Sequence, residues 1–417
     1  MDLIKTSVLS AISTIIKILT GFVSVKIIAI YIGPSGIALL GQMQNFINMI
    51  SNIASAGVNN GIIKYTAEFK DDEKTKQKIW SSSVKLSVIL IVPMALGIIL
   101  FSEYLSLNLL KTTEYKSVFI IFAISIIFFV MNGFLTSILN GQGEIKKLTY
   151  VNISGTLIGL LVTILLVIKL KVYGALLAII ISQSIVFIVT LLFVIKSNWF
   201  KITLFLNKID KEYTIKLLKF SLMALTSAIM VPISQMHVRD YIATHLGWDK
   251  AGYWQGVWRI SETYLLLVTT SLSVYYLPKL SSLKEKAEIK KELLRGYKII
   301  MPIVITSGIG IYIFRYLIIQ ILFTNKFLPM ADLFFFQVIG DIIKITSWLL
   351  AYLMLAKAMT KLFILTEIIF NISFVVISIL MINLYGVIGV TIGYAVNYVI
   401  YFIITYIVIG RYLNKVE

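Results

Sequence analysis

Apolar residues do not alternate along this chain; they run on in long blocks. A helix needs about 20 consecutive apolar residues to cross the hydrocarbon of a bilayer. On that length the sequence predicts twelve spans, at 8–32, 37–62, 79–101, 117–139, 147–168, 172–195, 217–245, 252–278, 296–322, 328–356, 361–383 and 386–410. The alternation of a membrane barrel is missing, so the expected fold is an all-α polytopic membrane protein. Two connections are long, near 196–216 and 279–295. The first separates spans one to six from spans seven to twelve. The expected organisation is an N-terminal lobe at 1–196, a cytoplasmic linker at 197–216 and a C-terminal lobe at 217–417.

The halves echo each other. Span one leads through Gly33-Pro34-Ser35-Gly36 into a polar second helix ending at Lys64. Span seven leads through Gly247-Trp248-Asp249-Lys250-Ala251-Gly252 into a polar eighth helix ending at Lys279. Six spans per half means that both halves enter from the same side, which describes parallel repeats with a site expected between the lobes.

Composition strengthens the membrane reading. Of 417 residues, 59% are hydrophobic and only 14% charged, against roughly 45–50% and 25% in soluble chains. There is no cysteine and there are two histidines, His237 and His245. Disulfides and thiolate chemistry are thereby excluded, and a histidine metal site is not expected. The first apolar stretch is too long for a signal-peptide core and reads as a membrane helix.

The net charge of +18 would suit a nucleic-acid binder, but its distribution does not. With the N-terminus placed in the cytoplasm, 25 of the 38 lysines and arginines fall in loops on that side. Six fall on the other side and seven within spans. That bias puts both termini inside and marks the charge as a topology signal, so no nucleic-acid partner is expected.

Charges within spans are costly and usually face water or a partner. Lys17 lies mid-span, too deep to snorkel, and is expected to face a cavity. Lys26 is nine residues further on, so the two share a cavity only if the helix bends near Gly21. Asn45, Asn48, Asn52, Ser55 and Asn59 recur at three and four residues along span two, one helical face able to hydrogen-bond sugar hydroxyls or neighbouring helices. Arg259 and Glu262 are spaced to pair, as are Asp341 and Lys344. Glu262, Asp341 and Glu367 are the candidate groups for ion coupling, with H+ or Na+ as the expected ion. No P-loop, nucleophile elbow, zinc motif or nucleotide-binding domain is present, so the chain reads as no enzyme and no cofactor is expected.

The segments Lys26-Ile27-Ile28-Ala29, Gly33 to Gly36, Ala56 to Gly61 and Lys64-Tyr65 resemble the O-antigen and lipid-linked oligosaccharide flippases, the enterobacterial common antigen branch in particular. So do Trp254 to Val257, Ser271 to Pro278, Asn325-Lys326-Phe327, Asp332-Leu333-Phe334 and Gly340-Asp341. The resemblance implies the multidrug/oligosaccharidyl-lipid/polysaccharide exporter fold, and a bacterial inner-membrane protein that moves an undecaprenyl-diphosphate-linked oligosaccharide outward. It also implies a cationic cavity supplied by Lys17, Lys26 and Lys64, and a polysaccharide polymerase and a chain-length regulator as partners. Gln44 stands where that family pattern leads one to expect arginine, and Arg259 where a small polar residue is expected. The main competing expectation is a multidrug or metabolite antiporter of the same fold. An intramembrane surplus of basic over acidic residues favours an anionic substrate. A membrane polymerase or glycosyltransferase would need a large outer catalytic loop, and the longest outer loop, 101–116, carries no such motif.

Overall fold

A computed structural model of the chain describes residues 3–205, 207 and 209–414, which are helical with no strand among the described residues. They divide into two compact units. One comprises Met1–Ile32 and Leu40–Pro232, the other Gly33–Leu39 and Ile233–Glu417.

The first unit opens with α1, Leu3–Ala54, which is two helices joined at Gly33. Gly33 has φ 65° and ψ −167°, a conformation that a residue without Cβ adopts freely. Pro34 follows, and its fixed φ suits the first turn of the next helix, where a backbone N–H has no partner to lose. The expected bend near Gly21 is not there: the helix runs unbroken to Gly33. Nor does span two run to residue 62 as expected. Ala56 and Gly57 both have positive φ, and the Gly57 amide donates back to the Asn52 carbonyl at 3.0 Å, closing the helix five residues back. Asn59 therefore opens a separate helix, α2 (Asn59–Glu68).

Next comes α3, Glu73–Leu100, whose cap is Asp72. The Thr75 hydroxyl and amide donate to the Asp72 carboxylate and hold its pKa below the usual carboxylate range. The short α4 (Ser102–Leu110) and then α5 (Lys116–Gly141) follow. The 51-residue α6, Ile145–Ile195, is again two helices, joined at Lys171 with φ 49°.

A compact aromatic core gathers at one end of this unit. Trp80 is fully buried and donates its indole N–H to Thr66 Oγ1 at 2.9 Å. Phe205 stacks on it and Trp199 meets it edge-on, with ring centroids 5.9 and 5.3 Å away. Both of those rings come from the stretch expected to be a linker, which folds against the unit through a short 3-10 turn, Ile202–Phe205. Its end is tied by Asp210, whose carboxylate lies 3.3 Å from Lys78 Nζ and accepts from the amide of Tyr213. The Tyr213 amide first, and Lys78 with it, keep the Asp210 pKa low. α7 (Lys211–Leu246) then carries the chain into the second unit.

In the second unit, α8 (Trp248–Ser271) passes through a π-helical turn, Leu272–Tyr276, into α9 (Leu277–Ser282). α10 (Lys286–Ile313) and α11 (Arg315–Leu322) follow, then a 3-10 segment, Asn325–Leu333. The last three helices are α12 (Phe334–Ala356), α13 (Thr360–Tyr385) and α14 (Ile388–Leu413). α12 is the central element, in contact with α8, α10, α13 and α14. The turn at Gly33–Leu39 packs on α8: the Ser35 amide donates to Asp249 Oδ1 at 3.2 Å, and a Cβ at Gly252 would collide with the Pro34 carbonyl. The two turns that echo each other in the sequence are thus in direct contact.

Nine helices among the described residues are long and apolar enough to cross a bilayer. Two of these nine, α1 and α6, each contain a break between two expected spans. Expected span eight is not among them, because α8 carries too many polar groups.

Candidate functional site

The first unit holds a polar cleft of about 390 Å³, within the range of roughly 300–1,000 Å³ typical of small-molecule sites. Lys17 from the first segment of α1 lies on it and is exposed. Opposite stand Asn132 and Thr136 from α5, with Asn152, Thr156 and Gln183 from α6. Each threonine satisfies its hydroxyl on the carbonyl one turn back, at 2.8 Å for Thr136 and 2.6 Å for Thr156. Thr190, also on α6, donates to Asn132 Oδ1 at 2.6 Å and so orients that carboxamide. The Lys17 ammonium forms no hydrogen bond or ion pair among the described residues. One ammonium facing three carboxamides suits an anionic group flanked by hydroxyls, since amides both donate and accept.

Lys26 is half-buried and does not line this cleft, as its nine-residue offset on an unbent helix dictates. Lys64 is exposed on α2, with its ammonium over the ring of Tyr65. The expected amide face of span two is partly engaged in holding its own helix. Gln44 donates to Asn48 Oδ1 at 2.9 Å, and Asn52 donates to the Asn48 carbonyl at 2.8 Å. Asn48 is exposed, while Asn45 and Asn52 are half-buried.

The second unit assembles a different centre around Asp341 on α12, which is fully buried. Tyr264 from α8 donates to its Oδ2 at 2.8 Å, and Tyr394 from α14 to its Oδ1 at 2.9 Å. Gln337, one turn away, donates to Oδ1 at 3.3 Å. Lys344 is half-buried with its ammonium 5.7 Å from the Trp258 ring centroid and 4.9 Å from that of Trp348. Glu262 accepts from the Trp258 indole at 2.7 Å. Arg259 is half-buried and its guanidinium hydrogen-bonds to none of the described residues. Neither expected pair, Arg259 with Glu262 or Asp341 with Lys344, closes to a salt bridge. Each acid has instead found neutral donors from aromatic side chains. Glu367 is half-buried on α13.

Arg239, a charge within a span that was not among the expected site residues, is buried, hydrogen-bonded to Gln255 and set against the Trp254 ring. Sequence reasoning also missed Asn132, Asn152 and Gln183. The signal for the two asparagines was present as an amide followed by threonine at four-residue spacing in otherwise apolar spans.

A family model described as "Polysaccharide biosynthesis protein" matches residues 3–284. The lipid III flippase of Escherichia coli (strain K12) is 31% identical over 369 residues, covering 88% of each chain. Among solved structures, a multidrug resistance MATE family transporter of the MOP superfamily superposes with a TM-score of 0.80 at 14% identity over 96% of each chain. The lipid II flippase MurJ, in an inward closed conformation, gives 0.76 at 17% identity, over 98% of this chain and 87% of its own. The two structures share this chain's fold, and the sequence relative is a flippase, a transporter rather than an enzyme. With its many membrane-spanning helices, and with the family model matching most of its length, this multi-pass membrane protein belongs to the polysaccharide biosynthesis protein family.

Proposed function

We propose that the chain is a flippase of the bacterial inner membrane. It moves an undecaprenyl-diphosphate-linked oligosaccharide from the cytoplasmic to the periplasmic leaflet, for O-antigen or a related surface polysaccharide. The carrying observation is the polar cleft in which Lys17 faces Asn132, Asn152 and Gln183. A diphosphate and a string of sugars are costly to take into hydrocarbon, because each charge and hydroxyl loses its water. Lysine supplies the compensating charge, and the carboxamides replace water at the hydroxyls. Lys26, Lys64, Arg259 and Lys344 add positive charge on this reading, and Asn45, Asn48 and Asn52 add further amides. The relationship to the lipid III flippase supports a lipid-linked oligosaccharide as cargo.

The lipid tail can stay in the bilayer while the head group is carried, so the protein need not extract the whole molecule. Alternating access would expose the head group to each side in turn. Coupling to H+ or Na+ falls to Asp341, with Glu262 and Glu367 as the other acids. Asp341 is held by neutral hydroxyls, so its charge can change without breaking a salt bridge. A polysaccharide polymerase and a chain-length regulator are the natural partners, because they act on the delivered unit.

The test is complementation of a flippase-deficient strain, reading surface polysaccharide together with the leaflet location of the lipid-linked unit. Restored polymer with the unit in the outer leaflet supports the reading. Well-inserted protein that leaves the unit inside, in its native strain as well, contradicts it.

A further inference from the structure

A second groove, of about 580 Å³, lies in the second unit between the end of α8 with its π-helical turn and the start of α10. Its walls are mostly apolar, including Leu267, Ile299 and Ile303, all well exposed. Tyr276 forms its buried floor. Two charges stand at one end, Glu292 and Arg295, one helical turn apart on α10. Glu292 is only 7% exposed, yet its carboxylate forms no hydrogen bond or ion pair among the described residues. Arg295 is exposed and likewise unengaged. The two do not pair with each other.

A nearly buried carboxylate without a donor calls for a cationic donor from outside the chain. A guanidinium one turn along calls for a phosphate. From Glu292 to Ile303 is roughly 16 Å of helix axis, about the hydrocarbon depth of one leaflet. Charge at one end and apolar wall over one leaflet's depth match a single phospholipid with a zwitterionic head. We propose that this groove binds one phosphatidylethanolamine molecule of the bilayer, its ammonium on Glu292, its phosphate on Arg295, and its acyl chains over Leu267, Ile299 and Ile303. Phosphatidylcholine offers the same phosphate and chains but no N–H donor. Phosphatidylglycerol offers no cation. The site is separate from the Lys17 cleft and does not depend on what the protein transports.

The test titrates the full-length protein in detergent with phosphatidylethanolamine, phosphatidylcholine and phosphatidylglycerol of identical chains, reading retained lipid by native mass spectrometry. The wild type is expected to retain phosphatidylethanolamine about tenfold better than phosphatidylcholine, the factor one charge-assisted hydrogen bond supplies. Glu292→Gln is expected to bring the two within about twofold of each other. Arg295→Gln is expected to weaken both alike and preserve their ratio. Equal retention of all three lipids by the wild type, an annular lipid only, overturns the proposal. So does a preference that survives in Glu292→Gln, or undecaprenyl phosphate displacing phosphatidylethanolamine from the wild type. If Glu292→Gln does not fold, Arg295→Gln decides: unweakened binding of both phosphate lipids rejects the site.

Discussion

Asp341 and Lys344 stand one helical turn apart on α12 and do not pair. The carboxylate accepts from Tyr264 and Tyr394, while the ammonium lies over the rings of Trp258 and Trp348. The tryptophan faces stabilise the cation in place of the acid. Sequence spacing made the pair available, and the aromatic side chains of α8, α12 and α14 took both partners first. The carboxylate thereby carries no salt bridge to the lysine one turn along.

Asp341→Asn and Asp341→Leu separate structure from function at that position. Asparagine keeps an acceptor and nearly the same shape, so protein level and melting temperature should stay close to wild type. Leucine strands two buried tyrosine hydroxyls, at about 1–3 kcal/mol each, and should destabilise the fold. If Asp341 couples the ion, both variants lose the dependence of flipping on the ion gradient. Measuring flipping in vesicles with and without an imposed gradient, beside thermal melts, checks both statements. Gradient-dependent flipping by a well-folded Asp341→Asn would remove Asp341 from the coupling role.

Trp80 holds Trp199 and Phe205 against the rest of the first unit. Its replacement by alanine removes the partner of Phe205 and Trp199 and the donor to Thr66. The expected cost is about 3–5 kcal/mol. Thermal unfolding of purified protein should show a large downward shift, and limited proteolysis should cut first between residues 197 and 210. An unchanged proteolytic pattern would mean that the segment is held by other contacts.

Gly252 has no room for a side chain, because the Pro34 carbonyl occupies the space a Cβ would fill. Gly252→Ala should cost about 1–3 kcal/mol, the range for overpacking a close approach. Gly33→Ala meets open space and should suffer only from its backbone, since φ 65° with ψ −167° is a conformation almost confined to glycine and costs a residue with a Cβ about 1–3 kcal/mol. Melting temperatures of the two variants test both costs, and a Gly252→Ala protein as stable as wild type would refute the close approach.

Much of this architecture could be read from the chain. Long unbroken apolar runs announced the helices, and Gly33-Pro34 announced the break in α1. Lys17 stood out because a lysine at mid-span needs a reason. The close of α1 at Ala54 was not legible, because the apolar pattern continues through Ala56 and Val58 while the backbone turns at Ala56 and Gly57. The partners of Lys17 were only half legible. Asn132 and Asn152 show helical spacing with their threonines, but nothing local says that α5 and α6 turn those faces toward α1. The pairing of Asp341 was misread for the same reason: spacing along one helix names possible neighbours, while tertiary packing chooses among them.

The three carboxamides of the cleft should act together and modestly. Asn132→Ala, Asn152→Ala and Gln183→Ala each remove about 1 kcal/mol of hydrogen bonding to a bound head group, or roughly fivefold in apparent affinity. Asn132→Ala should show no larger effect than the other two, because the Thr190 hydroxyl that it releases keeps the Val186 carbonyl at 2.9 Å. Concentration dependence of flipping in proteoliposomes reads these shifts. Variants indistinguishable from wild type would move sugar recognition elsewhere.

The most direct test of the central claim is the flipping rate of Lys17→Ala combined with Arg259→Ala in proteoliposomes loaded with an undecaprenyl-diphosphate-linked oligosaccharide. The account predicts a fall of at least about tenfold at normal protein level, since a lost charge contact to a phosphate costs about 1.5–3 kcal/mol. Flipping at the wild-type rate by that double variant would contradict a cationic site for the diphosphate.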